Sequence, residues 1–256
     1  VIVSSRYVWW RYSETLNPNS YTSVIFTWLL IIAETYAFIV MLLGYFQVCW
    51  VLDRKPASLP KDKERWPSVD IFIPTYNEPL DVVKPTVYAA LTVDWPKEKL
   101  NVYILDDGSR KEFKDFACEV GAGYIEREEH KHAKAGNINH AMGITKGDFI
   151  AIFDCDHVPV KTFLQKTMGW FLKDEKIALV QTPHHFYSQD PFEKNLHLKE
   201  NVPNENSLFH DFIQKGNDTW NATMFCGSCA IMRRKALEEV GGIAVETVTE
   251  VAHTSL

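Results

Sequence analysis

Between Tyr21 and Leu52 the chain reads YTSVIFTWLLIIAETYAFIVMLLGYFQVCWVL, an apolar run broken by one acid, Glu34. A helix needs roughly 20 apolar residues to cross the hydrocarbon of a bilayer. This run exceeds that, is too long for a signal peptide and has no small-residue cleavage pattern. A transmembrane helix in contact with membrane lipid is therefore expected over residues 21–52, with Trp28, Tyr45 and Trp50 near the interfaces. Glu34 should pair with a polar group rather than face lipid. Arg54, Lys55, Lys61, Lys63 and Arg65 follow the run, against Arg6 and Arg11 before it, so the positive-inside rule puts everything after Leu52 in the cytoplasm. Residues 1–20 then read as extracytoplasmic or as the end of an earlier span. Residues 53–68, DRKPASLPKDKERWPS, read as a juxtamembrane linker.

Beyond the linker the pattern becomes α/β. Strands are expected at VDIFIP (69–74), NVYILDDGS (101–109), GYIERE (123–128), FIAIFDCD (149–156) and IALVQTP (177–183). Helical stripes fall between them: Phe113, Phe116, Ala117 and Val120; Ile138, Ala141, Met142 and Thr145; and Phe163, Leu164, Thr167, Met168, Phe171 and Leu172. Alternating strands and helices imply a mostly parallel, Rossmann-like sheet covered by helices on both faces. The net charge of −6 argues against a nucleic-acid binder. Five scattered cysteines over 256 residues do not make a secreted disulfide scaffold, and cytosolic thiols are the simpler reading.

In an open parallel sheet, ligands bind beyond the carboxyl ends of the strands. Three strands here end in polar groups: Thr75-Tyr76-Asn77-Glu78, Asp106-Asp107-Gly108-Ser109 and Asp154-Cys155-Asp156-His157. The acids are expected to gather, unburied, on one rim. Asp106, Asp107, Asp154 and Asp156 would repel one another unless a cation or hydrogen-bond donors sat among them. Oxygen ligands suit Mg²⁺ or Mn²⁺, which commonly combine one or two carboxylates with substrate phosphates. Lys134, with His132 and Asn137 close by, precedes a helix, and a helix start favours phosphate.

The segments PTYNE, LDDGS, HAKAGN, FDCDHVP, QTPHHF, FCGS and TVTE stand in the order found in family-2 glycosyltransferases, and the chain most resembles the bacterial cellulose synthase catalytic subunits of that family along nearly its whole length. The resemblance implies a GT-A glycosyltransferase domain over residues 69–256, at the bacterial inner membrane. It also implies UDP-glucose as donor, a growing glucan as acceptor, and processive inverting β-1,4 transfer assisted by Mg²⁺ or Mn²⁺. Carried over by position, it puts Thr75, Tyr76 and Glu78 at the uridine and Asp106 and Asp107 near the nucleoside. His132, Lys134 and Asn137 would line the UDP site. Asp154 and Asp156 would be the metal-linked pair, with Asp156 the direct ligand, and Phe225, Cys226, Gly227 and Ser228 would lie near the glucan end. A periplasmic partner subunit and cyclic di-GMP regulation belong to the same implication. Two departures stand out. The family continues TVTE with an acidic base, where this chain has Val251 beside Glu250, so Glu250 is a weak substitute. The chain also ends at Leu256, before the family's Gln-x-x-Arg-Trp motif, later spans and cyclic-di-GMP-binding PilZ domain, so it reads as an N-terminal and central fragment with impaired catalysis.

Other readings fit parts of the chain. D-x-D-x-V also opens haloacid-dehalogenase-type phosphohydrolases, with Asp154 as nucleophile, but those expect their other acids downstream. Cys226-x-x-Cys229 lacks the second pair of a zinc site, and His184-His185 reads as hydrogen-bonding histidines at a strand end. Asn217-Asp-Thr and Asn221-Ala-Thr match the glycosylation pattern, which is without meaning on a cytoplasmic face. Residues 126–130, EREEH, read as a solvated loop. A catalytically silent, membrane-anchored UDP-sugar-binding protein and a chitin- or hyaluronan-type synthase remain as alternative functions.

Overall fold

The computed structural model describes residues 1–16, 20–188, 191–196, 205–247 and 249–255. Two compact units emerge, Val1–Asp53 with Asn201–Ala222, and Arg54–Glu200 with Thr223–Leu256.

In the first unit, helices α1 (Ile2–Glu14) and α2 (Tyr21–Gln47) are consecutive. Ser20 caps α2 by accepting the Ser23 amide at 3.2 Å, satisfying one of the amides a helix start leaves unpaired. The 27-residue α2 has a mean hydropathy of 2.1 over its most apolar window and is long and apolar enough to cross a membrane. Only Ile31 of its residues is buried, so the helix presents apolar surface all round and needs apolar surroundings. Glu34 has the polar partners its position demands: Arg11 Nε donates to it at 2.6 Å and the Tyr7 hydroxyl at 3.1 Å. The helix ends at Gln47, before Leu52, and side chains bind the carbonyls at and just beyond its end. Trp220 Nε1 donates to the Gln47 carbonyl at 3.2 Å and Thr219 Oγ1 to that of Trp50 at 2.5 Å. Gln47 itself bonds Asn217, which is buried.

The second unit is built on a six-stranded sheet. Its strands are β1 (Val69–Thr75), β2 (Leu100–Asp106), β3 (Gly123–Ile125), β4 (Phe149–Ile152), β5 (Leu179–Gln181) and β6 (Ala230–Arg233), in the order β3-β2-β1-β4-β6-β5. The first four pair in parallel, whereas β6 runs antiparallel to both β4 and β5. The sheet is thus mostly parallel, as expected, with β6 as its antiparallel member.

Alternation along the strands separates two cores. Val69, Ile71, Ile73, Val102, Ile104 and Ala151 pack with α3 (Leu80–Leu91), α4 (Lys111–Val120) and α6 (Phe163–Lys173). Phe72, Leu105, Ile150 and Ile152 pack on the other face with α5 (Ala133–Ile144) and the short helix Arg234–Glu239. The segment expected as a linker lies against this unit. Trp66 is buried and stacks on Trp95 at 4.4 Å, and a side chain at Gly169 would collide with the Ala57 carbonyl. The chain steps from β1 outward to β2 and β3, then returns to β4 on the other side of β1. The β1/β4 boundary is therefore the topological switch point, where open α/β sheets bind their ligands.

Candidate functional site

At the switch point the two strands have unequal reach. β4 ends at Ile152, opposite Phe72, while β1 continues to Thr75, which pairs with Asp106 at the end of β2. The chain leaves β4 through Phe153, whose amide still donates to the Phe72 carbonyl at 3.0 Å, so the Asp154–Asp156 turn sits on the rim beside the β1 extension.

The β1 and β2 ends are joined by Arg110. It donates to Asp106 Oδ1 through Nη2 at 2.8 Å and Nε at 3.1 Å, to the Glu78 carbonyl at 2.5 Å and to Thr75 Oγ1 at 3.0 Å. Asp106 also accepts from the amides of Gly108 and Arg110 and from the Tyr124 hydroxyl at 3.0 Å. Burial and that bond to Asp106 raise the Tyr124 hydroxyl's pKa. Burial opposes charge on Glu78, but the amides of Tyr76 and Glu78, the Thr75 hydroxyl and Arg110 outweigh it. The Glu78 carboxyl therefore titrates below its ordinary range. Tyr76 is exposed above this network.

Asp107 forms a two-pronged pair with Arg127, Nε to Oδ1 at 2.6 Å and Nη2 to Oδ2 at 2.7 Å, and both side chains are buried. Arg127 spends its remaining donors on the carbonyls of Lys131 and Ala133. This corrects two expectations. Asp106 and Asp107 are buried rather than on an open rim, and Arg127 belongs to the fold rather than to a solvated loop. Its neighbours Glu126, Glu128, Glu129 and His130 are exposed, with Glu126 3.6 Å from Lys114 and Glu129 3.0 Å from Lys131. Gly136 makes the arrangement possible, because a side chain there would strike the Lys131 carbonyl and Arg127.

At the start of α5, His132 and Ala133 adopt φ of 61° and 39°, a left-handed conformation that non-glycine residues hold only when their surroundings enforce it. No side chain caps this helix start, and His132 is exposed. Asn137 is buried and donates to the Leu105 carbonyl at 2.9 Å, tying α5 to β2. Lys134 bonds Asp154 and donates to the Gly227 carbonyl at 2.7 Å.

The FCGS segment forms the support behind the Asp154 turn. Ser228 is fully buried, and its hydroxyl accepts from the Asp154 amide at 2.8 Å and lies 2.7 Å from His157 Nδ1. Gln181 binds both the Cys226 amide, at 2.9 Å, and the Ser228 carbonyl, at 2.8 Å. Gly227 has φ of 86°, which turns its carbonyl to Lys134, and Phe225 is buried. The Phe225 amide donates to Ser255 Oγ at 2.6 Å, bringing the short helix Glu250–Thr254 next to this loop. The side chain of Val251 lies outside the described residues.

The rim carboxylates are thus not alike. Asp106 faces Arg110, Asp107 faces Arg127 and Asp154 faces Lys134. Among the described residues, no Lys or Arg lies within ion-pair distance of Asp156, which is 65% exposed and 4.0 Å from His157 Nε2. Mutual repulsion among four acids therefore does not itself call for a metal, since three have basic partners. Of these four acids, Asp156 is the one that offers a hard oxygen ligand without a Lys or Arg partner among the described residues, which fits Mg²⁺ or Mn²⁺ held by one carboxylate and by substrate phosphates. Cys155 between the two acids is buried, and burial together with the charges of Glu78, Asp156 and Asp154 pushes its thiol up to about 12. Arg110, Arg127 and Gln181 were not singled out from sequence. Arg110 directly follows the DDGS turn, which was its one visible signal.

A mostly parallel sheet with its switch point between β1 and β4 and carboxylates on the rim there has the architecture of the GT-A class. The chain belongs to glycosyl transferase family 2, whose family model matches residues 70–241. It is 59% identical over 99% of its length to the cellulose synthase catalytic subunit [UDP-forming] of Xanthomonas axonopodis pv. citri (strain 306), and 54% identical over its full length to that of Pseudomonas fluorescens (strain SBW25). The chain spans 35% of the length of each of these relatives. Its fold is similar to a mannosyltransferase from Pyrobaculum calidifontis in complex with GDP-Man and Mn²⁺ (TM-score 0.60, 22% identity, covering 87% of this chain and 61% of that one). It is also similar to S. aureus TarS 1–349 in complex with UDP-GlcNAc (TM-score 0.53, 14% identity, covering 73% and 52%).

Proposed function

We propose that this chain carries the donor site of a processive inverting β-1,4-glucosyltransferase that polymerises glucose from UDP-glucose into cellulose. The carrying observation is Asp156: an exposed carboxylate at the sheet's switch point with no Lys or Arg within ion-pair distance among the described residues, in a chain 59% identical to a UDP-forming cellulose synthase subunit. In this reading Thr75, Tyr76 and Glu78 meet the uridine. Asp106 and Asp107 hold the walls of that pocket through Arg110 and Arg127. Lys134 and the uncapped start of α5 offer positive charge and amides to the diphosphate. Asp156, with Asp154 beside it, holds Mg²⁺ or Mn²⁺. When bound, the cation offsets the charge that grows on the departing diphosphate. Phe225, Cys226, Gly227 and Ser228 border the acceptor, and the attacking sugar hydroxyl must give up its proton to a base as it bonds the anomeric carbon.

The domain organisation proposed with it runs from residues 1–20 outside or ending an earlier span, through a membrane helix within 21–52 and a juxtamembrane segment 53–68, to the glycosyltransferase domain from residue 69, which lies in the cytoplasm of a bacterial inner membrane. The growing glucan, membrane lipid, a periplasmic partner subunit and cyclic di-GMP control of the whole protein complete the proposal. Titration of UDP-glucose, UDP-N-acetylglucosamine and UDP-glucuronate with Mg²⁺ tests the donor. Tightest binding of UDP-glucose supports the reading; preference for UDP-N-acetylglucosamine or UDP-glucuronate would move it to a chitin- or hyaluronan-type synthase.

A second reading, silent binding of a UDP-sugar, is favoured by one residue. Val251 has no group that accepts a proton, and adjacent Glu250 replaces the base poorly. In that reading the chain binds the donor with metal and makes no polymer, whereas Val251→Asp in the full-length protein gains synthesis by about 10²–10⁴-fold.

A further inference from the structure

The sequence holds a Cys-x-x-Cys pair and a His-His pair, and neither forms a metal site alone. The fold takes one residue from each. His157, His184 and Cys229 each place one ligand atom within 4.8 Å of the others, at the back of the Asp154 turn. We propose that these three side chains form a second cation site, for Zn²⁺ or an ion of similar softness, separate from the oxygen ligand at Asp156. This site stands whether or not UDP-glucose is the donor.

Two imidazoles and a thiolate are the donors that zinc prefers and that Mg²⁺ does not. The spacing suits it. Cys229 Sγ lies 3.8 Å from His157 Nδ1, near the roughly 3.5 Å edge that Zn–S and Zn–N bonds span in a tetrahedron. The two imidazole rings are centred 4.9 Å apart. Asp154 Oδ2, 3.9 Å from His157 Nδ1, or a water can supply a fourth ligand.

The outer contacts are those of a metal-binding imidazole, whose second nitrogen usually donates to a carbonyl or a carboxylate. His184 Nε2 lies 2.9 Å from the Ser228 carbonyl, which can only accept. His157 Nε2 points to Asp156 at 4.0 Å. The thiol is held in place from behind. Cys229 has φ of 52°, and Thr182 donates to its carbonyl through Oγ1 at 2.7 Å and its amide at 3.1 Å. An ion at His157 Nδ1 would replace that ring's bond to Ser228 Oγ while its Nε2 still faces Asp156. One imidazole thus links the soft site to the hard one, and occupancy of the first should alter cation affinity at the second.

Cobalt provides the test, because thiolate-bound Co²⁺ absorbs by charge transfer in the near ultraviolet. The full chain in detergent, freed of metal by chelator, is titrated with Co²⁺ and then Zn²⁺. The proposal expects the charge-transfer band, its loss on adding Zn²⁺, and its survival in excess Mg²⁺. Cys229→Ser and His184→Gln should lack the band, with Zn²⁺ affinity lowered by at least about 100-fold, beyond the effect typical of losing an outer-sphere partner. Cys118→Ser, on an exposed position of α4, should keep both. Circular dichroism checks that the variants fold, and if Cys229→Ser does not, the spectrum of the unaltered chain decides. No band in the unaltered chain, or a band that persists in folded Cys229→Ser, overturns the proposal.

Discussion

A guanidinium removed from water must use its donors, and Arg127 does so, on Asp107 and on two backbone carbonyls. Removing one partner of such a buried pair leaves the other charged and unpaired, at a cost of about 3–5 kcal/mol. Arg127→Met should therefore lower unfolding free energy by that amount in urea titration, and Arg127→Met with Asp107→Asn should recover much of it. A loss under about 1 kcal/mol would show the pair to be solvated. Glu78 makes a pH prediction. Its carboxyl is depressed below the ordinary 4.5 in the folded chain, so the unfolded chain binds the proton more readily. Its contribution is present above pH 4.5 and is lost as pH falls through the lower folded value. The melting temperature of the unaltered chain should fall more steeply with acid below pH 4.5 than that of Glu78→Gln; parallel profiles would contradict the assignment. At this scale the sequence was partly legible. Apolar strands that end in acids revealed Asp106, Asp107, Asp154 and Asp156. Lys134 was visible too, but the arginine partners were hidden, because Arg127 sits among four charged or polar neighbours and only the fold decides which member of such a run is buried.

The start of α5 shows how an element is fixed by close approach. Gly136 lets the helix turn pass against the Lys131 carbonyl and Arg127. Gly136→Ala, normally favourable inside a helix, should here destabilise the chain and weaken UDP-glucose binding together, measured by thermal melting and by titration. Unchanged binding would mean that the helix start does not shape the donor pocket. Long apolar strands β1, β2 and β4 and the stripes of α4, α5 and α6 were readable because burial on both faces leaves an unbroken signature. Three features were not. α3 contains Pro85, which weakens a helical reading, yet Val83, Thr86, Val87 and Ala90 on its buried face hold it against the sheet. β6 is four residues long, directly followed by a helix, and its antiparallel pairing depends on where the preceding loop returns. Strands β2 and β4 end sooner than their apolar runs suggest, because the acids that follow belong to turns: Gly108 and Arg110 amides bind back to Asp106, and Phe153 makes the last sheet-like bond of β4.

For the whole molecule, the proposed cytoplasmic placement of the glycosyltransferase domain rests on the apolar α2 followed by Arg54, Lys55 and further basic residues. Protease added outside sealed, right-side-out cells should leave residues 70–250 uncut; cleavage within them would reverse the orientation. The membrane run and the family motifs were both plain in the sequence, since each is carried by a continuous stretch of residues. The division of labour among the four rim acids was not, because it depends on which cations the fold brings to each. Three acids are spent on Arg110, Arg127 and Lys134, and the proposed function rests on Asp156 being left for a divalent ion. The direct test is calorimetric titration of UDP-glucose into the unaltered chain and Asp156→Ala, each with Mg²⁺ and with chelator. The account predicts that chelator weakens binding to the unaltered chain by about 10-fold or more, and that Asp156→Ala binds weakly in both conditions. Equal affinity with and without the metal, or full metal dependence in Asp156→Ala, would contradict it.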